Sequence, residues 1–182
     1  MYVGVNDLDQ ARGAIEKAGG KTLSEVIVVP TVGKMQAMTD PQGAAFSIYQ
    51  PEQPPPAPEA TAELGEVSWH ELLTTDAEGA LKFYGPLFGW KERNAMDMGP
   101  MGKYYIWGRE WDMGGIMNKM PDMAQIPNNW GFYFRVAEVK ESAEVVKANG
   151  GQVINGPMEV PGGGWIVNCV DPQGAHFSMH NL

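Results

Sequence analysis

The sequence predicts an α+β fold built from paired βαβββ modules, with three modules in the chain. Three observations carry this. Two segments repeat each other at a fixed offset, a third shows the same order of strand and helix signals, and a proline-rich stretch separates the first from the other two. Self-similarity at a fixed spacing comes first, because it sets the unit of the fold. Asp40-Pro-Gln-Gly-Ala-Ala-Phe-Ser47 matches Asp171-Pro-Gln-Gly-Ala-His-Phe-Ser178 at an offset of 131 residues. The same offset, without a gap, aligns Tyr2 with Tyr133, Val5 with Val136, Gly19-Gly20 with Gly150-Gly151, and Val29-Pro30 with Val160-Pro161.

Each element of the unit has a local cause. Tyr2 to Val5 reads as a short strand. Leu8, Ala11, Ile15 and Ala18 recur at helical spacing, and Gly19-Gly20 ends that helix, since glycine accepts the left-handed conformation at a helix end. Apolar strand patterns follow at Val26–Val29 and Met35–Met38, and an Asp-Pro-Gln-Gly turn leads into a last strand, Ala44 to Tyr49. Residues 132–181 give the same order: strand 132–136, helix 139–148, a strand near Val153, strand Trp165–Val170, turn 171–174 and strand 175–180. Residues 66–117 fit by pattern alone. Val67 to Leu73 is a strand, and Thr75-Asp-Ala-Glu78 reads as a capping box before Ala77, Ala80, Leu81 and Tyr84. Gly89 ends that helix, and Trp90–Arg93, Tyr104–Trp107 and Gly114–Met117 supply three strands.

Residues 51–65 divide the chain. The stretch from Gln50 to Leu64 holds five of 14 prolines and no apolar period, which favours an extended, semi-rigid linker. The expected organisation is one module at 1–50, this linker, and two modules at 66–127 and 128–182. At the repeat offset, the counterpart of 66–131 would precede Met1, so the first module is expected to have an unpaired edge or face. A second copy, an intrachain rearrangement or a further segment would cover it.

Composition narrows the function. Hydrophobic residues make up 43% of the 182, enough for a real core. Thirteen basic against 22 acidic residues give a net charge of −9, which disfavours nucleic acid and anionic membranes as partners. No run approaches the ~20 apolar residues of a spanning helix. Met1 to Asp9 lacks a signal-peptide pattern, and the single Cys169 excludes an internal disulfide. A reducing, cytoplasmic setting is expected.

The residues also carry a family resemblance. Trp69-His-Glu-Leu-Leu-Thr-Thr-Asp76, Ala80-Leu-Lys-Phe-Tyr84 and Leu87-Phe-Gly-Trp90 resemble the opening of a glyoxalase/bleomycin-resistance/dioxygenase domain, the vicinal oxygen chelate superfamily. Val136, Val139, Gly150-Gly151, Pro157-Met158 and Asp171-Pro-Gln-Gly-Ala-His-Phe-Ser178 resemble its second half. The resemblance implies paired modules whose curved sheets enclose a cleft for a metal or a small ligand, with 66–182 as a complete two-module domain and 1–50 as the orphan second half of another. It implies a first metal ligand seven residues before the helix-opening Asp, where this chain has Trp69, and a partner near Gly131. The last-strand ligand would fall at Ser178, and Gly114-Gly-Ile-Met117 offers no ligand side chain. The usual metal set is therefore not expected, and no other cofactor is implied.

Other groups remain open. Strand alternation puts Trp69 and Glu71 on one face, and His176, Ser178 and His180 on one face. If both point inward, Glu71, His176 and His180 could form a shifted divalent-metal site or an acid–base pair; otherwise they are structural. Trp69, Trp107, Met117, Trp165 and Ser178 are the candidates for lining a ligand cleft, against ordinary core filling. The methionines from Met96 to Met123 suit a loop over that cleft or a surface loop. Gly162-Gly163-Gly164 reads as a tight turn, and Cys169 as an inert buried thiol. Three functions follow: a metal-independent binder of a small, partly aromatic ligand; an enzyme with a shifted site; or a homo-oligomer pairing through 1–50.

Overall fold

A computed structural model describes residues 1–53 and 61–182; the middle of the proline-rich linker lies outside them. Three modules are present, the second and third βαβββ, the first of the same pattern with the strand after its helix in two pieces that both pair with the next strand. The first has β1 (Tyr2–Gly4), α1 (Leu8–Lys17), β2 (Lys21–Thr22), β3 (Ile27–Val29), β4 (Gly33–Thr39) and β5 (Ala45–Pro51). The second has β6 (Val67–Thr74), α2 (Ala77–Phe88), β7 (Lys91–Asp97), β8 (Lys103–Gly108) and β9 (Asp112–Asn118). The third has β10 (Asn129–Arg135), α3 (Val139–Ala148), β11 (Gln152–Glu159), β12 (Trp165–Val170) and β13 (His176–His180). The α+β class and the module order are as the sequence predicts. The two-residue β2, polar and exposed, had no apolar signal to announce it.

The repeat holds down to single hydrogen bonds. At the end of α1, Gly19 donates to Glu16 and Gly20 to Ile15, both at 3.0 Å. At the end of α3, Gly150 donates to Lys147 at 3.1 Å and Gly151 to Val146 at 3.0 Å. Gly19 and Gly150 take the left-handed conformation, with φ of 97° and 83°. The second glycine of each pair is needed for closeness. A Cβ on Gly20 would lie 2.6 Å from the Thr39 carbonyl oxygen, and one on Gly151 2.9 Å from that of Val170. In both Asp-Pro-Gln-Gly turns the Asp carboxylate accepts from the alanine amide four residues on, at 2.8 Å.

The chain forms two compact units, Met1–Pro58 with Leu72–Trp130, and Glu59–Glu71 with Gly131–Leu182. In the first unit one sheet runs β1-β5-β4-β2, with β3 on β4, and β9, β8 and β7 lie side by side in another. Its core joins both modules. Val3, Leu8, Ile15, Met38, Phe46 and Ile48 are buried with Phe83, Tyr84, Phe88, Trp107 and Trp130. Phe46 meets Tyr84 edge-on at 5.5 Å between ring centroids, and Asn128 donates to the Gln42 carbonyl at 2.6 Å. The helix-covered face of module 1–50 is thus covered within the chain, because Phe83, Tyr84 and Phe88 project from α2 at helical spacing.

A buried polar chain crosses this core. The Trp130 indole donates to the Tyr84 hydroxyl at 3.0 Å, and that hydroxyl donates to Asp40 Oδ2 at 3.0 Å. Burial pushes the Asp40 carboxyl up from the ordinary range, against the hydrogen bonds it accepts. Asp171, its repeat counterpart, is not among the buried residues.

In the second unit β11, β12, β13 and β10 are adjacent in that order, and β10 is followed by β6. The core beneath α3 is Val139, Ala143, Val167, Cys169 and Met179. Burial raises the Cys169 thiol above its ordinary range, which keeps it protonated and unreactive. Among the described residues no helix is long and apolar enough to cross a membrane.

Candidate binding site

The second unit has a polar row on the sheet face opposite α3. Parallel pairing of β10 with β13 sets Tyr133 beside Ser178, and antiparallel pairing of β12 with β13 sets Asn168 beside Ser178. Side chains alternate along a strand, so Tyr133, Ser178 and Asn168 share a face, while Val167, Cys169 and Met179 take the helix side. The Tyr133 hydroxyl donates to Glu71 Oε1 of β6 at 3.0 Å. Asn168 Nδ2 donates to Ser178 Oγ at 2.7 Å, and Asn155 Nδ2 donates to Asn168 Oδ1 at 3.2 Å. Hydrogen-bonding groups therefore cross five strands in one band.

His180 sits at the end of this band. Its ring meets the Tyr133 ring edge-on at 6.0 Å, and its Nε2 is hydrogen-bonded to Ser68. It is buried, and burial first, then the Arg135 charge, hold its pKa below the ordinary imidazole range. The Tyr133 phenol is pushed up by burial, and further by the neighbouring Glu71 charge. A neutral phenol beside a carboxylate is a hydrogen-bond donor, not a base.

The sequence candidates divide accordingly. Glu71 and His180 both reach Tyr133, and Ser178 lies between Tyr133 and Asn168. His176 begins β13 and is exposed. Trp69 is half-buried in β6, two residues from Glu71. Trp165 packs on the α3 side, with the Lys140 ammonium 3.8 Å above its ring, because it is in phase with Val167 and Cys169. Trp107 is 1% exposed in the core of the first unit, stacked on Trp90 at 4.0 Å. Met117 is half-buried on β9, opposite Tyr104 of β8. Met98 to Gly102 form the tip of the β7–β8 hairpin. The glycine run at 162–164 is a tight turn, with Gly163 donating to Val160 at 3.1 Å.

Tyr133, Asn168 and Asn155 were missed. The signal for Tyr133 was available: the repeat pairs it with Tyr2, and it stands two residues beyond Gly131, on the same strand face as that ligand position.

The family's metal chemistry can be tested on the donor set. The aligned positions hold an indole at Trp69, no side chain at Gly131, and a hydroxyl at Ser178 that already accepts from Asn168. Among the described residues no three His, Cys, Asp or Glu side chains come together as a metal set. These residues do not fit a resident divalent metal.

Comparison with known proteins places the chain. The family model described as Glyoxalase/Bleomycin resistance protein/Dioxygenase superfamily matches residues 66–179. CFP32 of Mycobacterium bovis, named as a candidate glyoxylase, is 32% identical over 179 residues, covering 98% of this chain and 67% of that protein. The anthracycline biosynthesis protein DauV of a Streptomyces species is 28% identical over 182 residues, covering 100% of this chain and 65% of that protein. The Mn(II)-bound glyoxalase from Novosphingobium aromaticivorans shares the fold with a TM-score of 0.67 at 17% identity, over 99% of this chain and 61% of that one. The 2,3-dioxygenase LapB from Pseudomonas sp. KL28 does so with a TM-score of 0.68 at 14% identity, over 100% of this chain and 70% of that one. The chain thus spans about two thirds of the length of these relatives. With three modules built to one pattern and a family model matched across the second and third, this chain belongs to the glyoxalase/bleomycin resistance protein/dioxygenase superfamily.

Proposed function

We propose that the chain binds a small, planar, partly aromatic ligand on the polar face of β6, β10, β13 and β12, and holds it by hydrogen bonds instead of through a metal. It would act by sequestration. The observation that carries this reading is the band from Glu71 through Tyr133 and Ser178 to Asn168, half-buried except for the more deeply buried Tyr133. Acceptors and donors in fixed sequence, flanked by Trp69, suit a flat ligand with hydroxyl or carbonyl groups on its rim. Similarity to proteins named for anthracycline biosynthesis supports a fused-ring ligand.

The test is calorimetric titration with an anthracycline, alongside metal analysis. Saturable one-to-one binding by metal-free protein, weakened by Glu71→Gln and Asn168→Ala, is the expected result. Tightly held stoichiometric metal, lost together in Glu71→Ala and His176→Ala, would overturn it.

One observation favours a second reading, an enzyme with acid–base groups here. Glu71 accepts from the Tyr133 hydroxyl, and His180 meets the ring of the same residue. Turnover of a bound ligand with a pH profile abolished by His180→Gln would select it.

A further inference from the structure

We infer that an open groove beside the first turns of α2 binds a small dipolar ligand, one with an ammonium and a carboxylate at opposite ends of a short apolar body. Short peptides and ω-amino acids share that chemistry. The groove has a volume of about 400 Å³, within the range of small-molecule sites. The second module alone supplies its walls. One wall is α2, with Glu78, Leu81 and Lys82 on one side of the helix. The other is the pair of strands β7 and β8. No residue of the polar band takes part, so the inference stands apart from the ligand proposed there.

A bulge shapes the strand wall. Tyr105 and Trp107 alternate onto one face of β8, and both are buried in the core shared with α2. On β7, Ala95 stands opposite Tyr105 and Glu92 opposite Trp107. Residues three apart on a regular strand point to opposite faces. The register shift between Glu92 and Asn94 inserts one residue and brings Glu92 and Ala95 onto the same side. Ala95 ends at its Cβ, which leaves room beside Tyr105. Leu81, Ala95 and the Tyr105 ring thus give the groove an apolar floor.

Opposite charges stand at its two ends. Lys103 lies two residues before Tyr105, and Glu92 faces Trp107, two residues beyond it. Their backbones are therefore about 13 Å apart along the strands. On α2, Glu78 and Lys82 are one turn apart. Glu78 Oε1 accepts from the Tyr105 hydroxyl at 2.8 Å, and a carboxylate has a second oxygen for a ligand donor. Among the described residues no ion pair joins either lysine to either glutamate. Two carboxylates and two ammoniums balance, so neither a simple cation nor a simple anion is favoured, whereas a ligand with both charges meets both ends. The third module makes the contrast. At the second helix position and the first strand position, where this module has Glu78 and Lys103, it has Lys140 and Trp165. There the ammonium lies 3.8 Å from the ring centroid, and the two side chains satisfy each other.

The test is an NMR titration of the isotope-labelled chain with ε-aminohexanoate and with alanyl-alanine, each to about 20 mM, which reads millimolar affinities. Saturating shifts at the Leu81, Ala95 and Lys103 amides are expected for at least one of them, and the better binder tells an ω-amino acid from a peptide. Hexylamine and hexanoate carry one charge each and should bind about fivefold more weakly. Glu92→Gln and Lys103→Met should each weaken the dipolar ligand by about the same factor. Ala95→Trp fills the groove from an exposed position and should abolish the shifts with unchanged far-ultraviolet circular dichroism. Should that variant unfold, the two charge variants decide. No saturation with either dipolar probe, equal affinity for hexylamine or hexanoate, or binding unchanged in Glu92→Gln or Lys103→Met would overturn the inference.

Discussion

At the residue scale, the candidate site turns on Tyr133. Its hydroxyl is the donor that Glu71 Oε1 accepts from, and it is 6% exposed. Tyr133→Phe keeps the ring against His180 and removes the hydroxyl that donates to Glu71 and also meets Asn168 and Ser178. A loss of about 1 kcal/mol in stability is expected on chemical denaturation, with ligand affinity falling about fivefold. His180 gives a pH signature. Its folded pKa lies below the unfolded value, so the unfolded chain binds the extra proton. Stability is full above about pH 6.5, the unfolded imidazole value, and drains away as pH falls toward the depressed folded pKa. His180→Gln should flatten that slope in urea melts run across this window. Asp40 acts with the opposite sign. Its folded pKa is raised, so its contribution is full below the unfolded carboxylate value of about 3.9 and is lost as pH rises through the raised one. Asp40→Asn should remove that loss. At this scale the shared face of Ser178 and His180 was legible, because strand alternation is written in the sequence, whereas the nearness of Glu71 and His180 to Tyr133 comes from strand pairing. Trp107 and Trp165 show the limit. Indoles suit a core and a cleft equally, and only the register of β8 and β12 assigns them to the helix-covered side.

At the element scale, the start of α2 shows how local rules compete. The capping-box spacing nominates Thr75 as the cap. The helix instead begins at Ala77, and Asp76 is the cap, its carboxylate accepting from Gly79 at 2.9 Å. Glu78 is then free to accept from the Tyr105 hydroxyl of β8 at 2.8 Å, an interaction between elements that no local rule contains. Asp76→Ala should cost about 1 kcal/mol, while Thr75→Ala should cost clearly less; comparative thermal melts decide the order. The helix ends at Gly19, Gly89 and Gly150 were legible, since each takes the left-handed conformation that glycine adopts most cheaply. The strand β2 was not, because two exposed polar residues are held by pairing with Thr39 and Met38, not by their own pattern.

At the scale of the whole molecule, the family-matched region and the cooperative unit differ. The match covers 66–179, yet the core around α2 includes Leu8, Ile15, Met38, Phe46 and Ile48 of the first module. A chain cut to 66–182 loses the Phe46 contacts with Phe83, Tyr84 and Phe88, and the Asp40 acceptor of Tyr84. It should bind a hydrophobic dye and melt with a shallow, early transition. A cooperative melt at the temperature of the full chain would contradict this. The expectation that the first module needs cover is answered for its helix-covered face by α2.

The sequence by itself determined the repeat, the module order, the helix ends and the turns, because these are short-range consequences of glycine, proline and apolar period. The tertiary structure decided which faces are buried. It placed Trp107 and Trp165 against helices, joined Asp40 to Tyr84 across 44 residues, and assembled Glu71, Tyr133, Ser178 and Asn168 into one band. The reason is physical: side-chain alternation gives each strand two faces, and only pairing and packing choose which one meets the helix.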